Sequence, residues 1–273
     1  MSEFAIKDSY KLEDIPLIVT LLRDPVNGCP WDKEQTHDSI RQNFIEETCE
    51  VVEAIDRKDT ELLREELGDV LLQVMLHAEM ERENGTFGID DVADRLIKKL
   101  VLRHPHIFSD VTADTTDKVL SNWEDIKRLE KNQKTGSDAV NDVPRSLPSL
   151  MRSQKVQKRA GYVGFDYPDI DMAMGDLCSE VEELKAAIAS GEGIEEEVGD
   201  LIFSAVNVAR LSKLDAELAC DKSCSKFAKR FGIVEKLAEQ RGIDMKTCGI
   251  DKLNELWGQA KAQLSQQENK GDN

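Results

Sequence analysis

Apolar residues recur at helical spacing along almost the whole chain. Ile15, Ile18, Leu21 and Leu22 mark an amphipathic helix over Leu12–Arg23, because steps of three and four return side chains to one face. The run Asp24 to Gly28 (DPVNG) ends it, and Cys29-Pro30-Trp31-Asp32 reads as a turn. A second helix, capped by Thr36 or Asp38, reaches Arg57 and is expected to bury Phe44, Ile45, Thr48, Val51, Val52 and Ile55. A third starts at Asp59 or Thr60 and is expected to bury Leu63, Leu67, Val70, Leu71, Val74 and Met75. After the loop Asn84 to Gly88 come a helix from Asp90 to Arg103, the turn His104-Pro105-His106, and a helix around Trp123 to Lys131.

Residues 134–148 (KTGSDAVNDVPRSLP) break this periodicity with Gly, Ser and two prolines. They read as a linker between a first unit, residues 1–133, and a second, residues 149–273. The second opens with a basic helix, Ser149 to Ala160, carrying Arg152, Lys155, Lys158 and Arg159. A loop from Gly161 to Pro168, two acidic helices, a Lys-rich helix near Ala216 to Arg241 and a last helix through Trp257 follow. From Gln263 onward the chain is polar and expected to fray. No segment alternates as a strand would, so the predicted class is all-α.

The polar positions hold the chemistry. Glu47 and Glu50 share a face of the second helix, with Glu46 beside them, and Glu66 and Asp69 share a face of the third, after Glu65. The latter two border the apolar stripe, whereas solvating charge usually lies opposite it. Folding these helices together makes four carboxylates converge, and such a cluster calls for a cation. Oxygen-only ligands suit Mg²⁺, Mn²⁺ or Ca²⁺.

The pattern then repeats. Glu180 and Glu183 match Glu47 and Glu50; Glu197 and Asp200 match Glu66 and Asp69. Glycine recurs at the same place, as Gly68 and Gly199. A mid-helix Gly costs roughly 1 kcal/mol against Ala, so its recurrence predicts close approach of a neighbouring helix or a ligand. Lys99 and Arg103 return as Lys226 and Arg230, and Trp123 and Lys127 as Trp257 and Lys261. Each repeat thus offers acids for a metal, cations for phosphate and an indole for a base, an inventory that fits a nucleotide. Lys158 and Arg159 are further candidates for phosphate.

Composition sharpens this. The net charge of −18 excludes general nucleic-acid binding. An acidic chain that grips phosphates must use bound cations and a few placed Lys and Arg. The six cysteines form no CxxC pair and read as reduced thiols of a cytoplasmic protein. The polar N-terminus predicts no signal peptide, and no apolar run is long enough to cross a bilayer.

Blander readings exist for each feature. One acidic pair is most often a solvated face; two pairs on adjacent helices, duplicated with the same glycine, are not. Trp123 and Trp257 fit a core or interface position as well as a base platform. His104 and His106 read as a helix cap and turn packing, and His37 and His77 as incidental. A di-iron bundle would need Glu-x-x-His, an EF-hand its acids in a loop, a zinc hydrolase its histidines, and a P-loop enzyme a Gly-rich Walker motif; none is present.

In combination these residues resemble the MazG-type all-α nucleoside triphosphate pyrophosphohydrolases. The signature Glu-Glu-x-x-Glu followed by Glu-x-x-Asp carries the likeness. GCPWDKEQT from Gly28, RHPHIF from Arg103 and LPSLMRSQKVQKRAGYVGFD from Leu147 support it across nearly the whole chain. The resemblance implies two tandem helical repeats, with four-helix active-site units built or completed at a homodimer interface. It implies Mg²⁺-dependent cleavage of NTPs and dNTPs, ATP included, to a nucleoside monophosphate and pyrophosphate. It places metal on Glu47, Glu50, Glu66 and Asp69, and on Glu180, Glu183, Glu197 and Asp200. The second set is the catalytic one, with nucleotide contacts at Lys226, Arg230, Trp257 and Lys261. Mn²⁺ is the alternative ion.

One departure stands out. The signature's leading glutamate is Glu46 in repeat one but Ser179 in repeat two. If a carboxylate there activates water, repeat two needs a substitute such as Glu182 or Glu196. The intact signature favours repeat one; the cations around repeat two favour it instead. The rival function is a non-catalytic helical nucleotide sensor or adaptor whose acids bind metal only for structure.

Overall fold

The computed structural model describes residues 4, 6–108, 115, 126, 130 and 135–271, and among these there is no strand. Of the helix expected around Trp123 to Lys131 only Ile126 and Glu130 are described, both helical; Trp123 and Lys127 lie outside the described residues. The chain divides into two compact units, Met1–Lys127 and Arg128–Asn273. No described helix is long and apolar enough to cross a membrane, and all six cysteines are free thiols.

Unit 1 contains α1 (Ile15–Leu22), α2 (Arg41–Arg57), α3 (Thr60–Glu83), α4 (Ile89–Arg103) and the short α5 (Pro105–Phe108). Helices α2 and α3 fold into a hairpin, and α1 lies along α3. The turn between α2 and α3 uses Lys58 in the left-handed region, then Asp59, whose carboxylate accepts the N–H groups of Glu61 and Leu62 and so caps α3. Val19, Ile40, Met75, Leu76 and Met80 form the core, with Leu71 and Leu72 packed against it. Arg23 is the buried polar anchor. Its guanidinium grips both Glu83 oxygens at 2.8 Å and donates to the Asp32 and Gln35 carbonyls, tying the turn after α1 to the end of α3.

Several expectations fail in this unit. Neither Thr36 nor Asp38 caps α2. The N-cap is Ile40, and Thr36 and Ser39 close a turn on each other before it. Ile45, Val52, Ile55 and Leu67 are exposed; the apolar stripe of the hairpin is wider than the surface α1 covers. His37 and His77 are not incidental. Their rings stack at 4.9 Å with Nδ1 atoms 2.6 Å apart, and His37 Nε2 lies 2.8 Å from Glu81 Oε1, pinning the approach to α2 onto α3. His104 does cap α4, its Nδ1 2.7 Å from the Leu100 carbonyl.

Unit 2 contains α6 (Gly136–Asn141), α7 (Ser149–Gly161), α8 (Ile170–Ser190), α9 (Ile194–Leu211), α10 (Ala216–Arg241) and α11 (Ile250–Gly271). Helix α6 lies inside the stretch expected to be an irregular linker. Thr135 and Asp138 form its capping box, and Ala139 and Val143 are buried as it packs on α7. Helices α8 and α9 repeat the α2/α3 hairpin, joined by Gly191 and Gly193, both at positive φ. Gln157 of α7 donates to the Phe203 carbonyl at 2.7 Å, and Gln154 bridges the turn from α9 to α10. Asp166 receives both guanidinium nitrogens of Arg210. Val234, Leu237, Ala238, Leu256 and Ala260 form the α10/α11 core. Helix α11 continues past Gln263 to Gly271, where fraying was expected.

Gly68 and Gly199 also depart from expectation. A Cβ at either would meet nothing within 4 Å among the described residues, so no neighbouring helix approaches them.

Candidate active site: two carboxylate clusters

The hairpins do what the three-residue steps predict. In unit 1, ligand oxygens of Glu47, Glu66 and Asp69 lie within 4.8 Å of one another; in unit 2, those of Glu180, Glu183 and Glu197 do. Glu50 adjoins the first cluster, since its charge acts on both Glu47 and Glu66. Asp200 adjoins the second, acting on Glu180 and Glu197.

The electrostatics are those of a cation seat. Burial, then the charges of Asp69 and Glu50, push the Glu47 carboxyl above the ordinary glutamate range. Glu66 is raised by burial and by Glu50 and Asp69. In unit 2, burial and Glu183 raise Glu180, and burial with Glu183 and Asp200 raises Glu197. Like charges gathered this closely favour protonation unless a cation neutralises them. The donors are all carboxylate oxygens on helices, which fits a hard divalent ion and not a soft one. Glu195, Glu196 and Glu197 occupy the first turn of α9, where the helix dipole favours negative charge.

The cationic candidates of unit 2 lie on α7, α10 and α11. Arg230 of α10 lies over the Trp257 ring of α11, 5.9 Å from its centroid, and its Nε is buried without a partner. Phe227 packs at 5.1 Å on the same indole and stacks on Phe231, two aromatics the spacing of charges did not reveal. Lys226 and Lys261 are exposed. Among the described residues no ion pair joins Lys226, Arg230 or Lys261 to the four acids of α8 and α9. Lys158 is exposed over the Tyr162 ring, 5.9 Å from its centroid. Arg159 is buried and partnered within the chain, which removes it as an open phosphate contact. In unit 1, Lys99 is exposed and Arg103 is partnered.

Around Ser179 the structure is informative. Its hydroxyl donates to Glu183 Oε1 at 3.0 Å, orienting one of the clustered acids. Glu182 is paired with Lys185 at 2.8 Å on the exposed side, so it is not at hand to replace a missing carboxylate. Glu196 is exposed beside the α8/α9 turn. Asp176 and Ser204, hydrogen-bonded at 2.8 Å, extend the cluster by one more turn. The i, i+4 step from Asp176 to Glu180 was the available signal.

Among the described residues the chain is all-helical, and its matching hairpins carry two oxygen-only acid clusters that could each hold a hard divalent ion. Sequence comparison gives the family. The MazG nucleotide pyrophosphohydrolase domain matches twice, at residues 35–108 and 171–232, and covers both hairpins. A nucleoside triphosphate pyrophosphohydrolase of Escherichia coli K12 is 42% identical over 257 residues, 93% of this chain and 98% of that protein. A Thermotoga maritima nucleoside triphosphate pyrophosphohydrolase/pyrophosphatase is 42% identical over 249 residues, 91% of this chain and 95% of that one. A third, from Mycolicibacterium smegmatis, is 35% identical over 193 residues, 62% of this chain and 59% of its own length. The chain belongs to the MazG nucleotide pyrophosphohydrolase family.

Proposed function

We propose that the chain hydrolyses nucleoside triphosphates to the monophosphate and pyrophosphate with Mg²⁺, and that unit 2 carries the reaction. The supporting observation is the cluster of Glu180, Glu183, Glu197 and Asp200, in which the raised carboxyls of Glu180 and Glu197 call for a divalent cation. Glu180, Glu183, Glu197 and Asp200 would hold the ion, which would supply Lewis-acid activation of the triphosphate and of the attacking water. Ser179 orients Glu183. Lys226 and Arg230 would neutralise charge on the departing pyrophosphate, and Trp257 would carry the base. The chain's excess negative charge makes such neutralisation necessary.

The same reading includes a homodimer. Exposed Ile202, Val198 and Phe203 on α9, and Ile45, Val52 and Leu67 in unit 1, leave the hairpins with uncovered apolar surface beside the open glycines Gly68 and Gly199. A partner copy would cover it and bring cations to the acids.

Replacing Glu197 and Asp200 by Ala is expected to reduce AMP and pyrophosphate release from Mg²⁺-ATP by at least about 100-fold, the upper end of what outer-shell changes cost, with the helical circular dichroism retained. If only Glu66→Ala and Asp69→Ala abolish release, repeat one is the active unit. Release of ADP and phosphate, or no turnover by the parent chain, would reject the reaction.

A further inference from the structure

Three rungs cross the unit 2 hairpin. In unit 2, Asp176, Glu180 and Glu183 of α8 form one stripe, and Ser204, Asp200 and Glu197 of α9 form the facing one. The first rung is a real bond: Ser204 Oγ donates to Asp176 Oδ2 at 2.8 Å. The phenol of Tyr167, in the loop before α8, feels the same carboxylate, which pushes it above its ordinary value. Asp176 is held by Ser204, and its charge acts on Glu180 one helical turn away.

Unit 1 has the same acid positions with two differences at the first rung. Asn43 stands where Asp176 would be, ahead of Glu47 and Glu50 on α2, and Gln73 stands for Ser204 on α3. Gln73 is buried, and its Oε1 has no partner. The first rung is thus neutral in unit 1 and anionic in unit 2. Ser179 removed one carboxylate from the unit 2 signature; Asp176 returns one on the ligand-bearing stripe.

We propose that Asp176, fixed by Ser204, is a positioning residue of the unit 2 cluster that strengthens divalent-cation binding at Glu180 and its neighbours. The inference rests on the metal assignment above. A fixed negative charge one turn behind a ligand raises the local attraction for a divalent ion and costs no rearrangement when the ion enters. It also makes the two clusters unequal: unit 2 fills first as the cation concentration rises.

The test uses the full chain with unit 1 silenced by Glu66→Ala and Asp69→Ala, and measures Mn²⁺ binding by calorimetry. Asp176→Asn keeps the side chain's size and hydrogen-bonding reach. It is expected to weaken Mn²⁺ binding about 10- to 100-fold, the range found for outer-shell partners, without lowering the metal-free melting temperature. Unchanged affinity, or a lower melting temperature with affinity intact, overturns the proposal. The converse variant, Asn43→Asp with unit 2 silenced by Glu197→Ala and Asp200→Ala, is expected to tighten unit 1 binding about 10-fold; no gain overturns it equally. If the parent with unit 1 silenced takes up no Mn²⁺ at all, the metal assignment itself fails and the proposal with it.

Discussion

At Gly28 the backbone decides the residue. A Cβ there would sit 2.4 Å from the Asp24 carbonyl oxygen and 2.5 Å from that of Leu22, so the turn that leads into the Arg23 anchor has no room for it. Gly28→Ala is expected to cost about 1–3 kcal/mol, measured by urea unfolding. Gly68 is the opposite case: open space surrounds its Cβ position on a helix. In the isolated chain Gly68→Ala should stabilise by about 1 kcal/mol from helix propensity alone. If a partner copy packs there, the gain should vanish at concentrations where the dimer forms. The acids were legible residue by residue because spacing on a helix is local. Arg23 was not, since its partner Glu83 lies sixty positions away, and no local pattern marks a buried arginine.

At the scale of the helical hairpin, the raised carboxyls set a pH dependence. Glu180 and Glu197 hold their protons more tightly when folded. As pH rises from the ordinary glutamate range through their raised values, the folded chain releases protons that the unfolded chain has already lost. Metal-free stability falls over that window. Asp166, held low chiefly by its hydrogen bond to Arg210, works in the other direction, so the effect must be isolated by difference. Glu180→Gln with Glu197→Gln is expected to melt above the parent at neutral pH in EDTA, and the difference should disappear on acidification. Saturating Mg²⁺ should reverse the order. The hairpins themselves were readable from periodicity and from Asp59 as a cap. Helix α6 was missed because six residues are too few to show a period, and it is held by a capping box and by Ala139 against α7. The α2 stripe was over-read because periodicity shows which face is apolar, not how much of it a neighbour covers.

For the whole molecule, uncovered apolar side chains make association the expected state. Sedimentation should give a dimer, and Ile202→Glu, which places charge on the exposed part of α9, should shift it toward monomer. A parent chain that stays monomeric at every concentration would contradict the assembly. The repeats also differ in where they place the same ligand. Glu66 lies well inside α3, behind the Asp59 cap, whereas Glu197 belongs to the opening turn of α9, begun by Gly193 with no side-chain cap. Helix ends open and close freely. An ion arriving in unit 2 should therefore stitch down a fraying terminus and slow hydrogen exchange of the amides just after Glu197. In unit 1 it would drop into a seat already rigid and leave exchange there almost untouched.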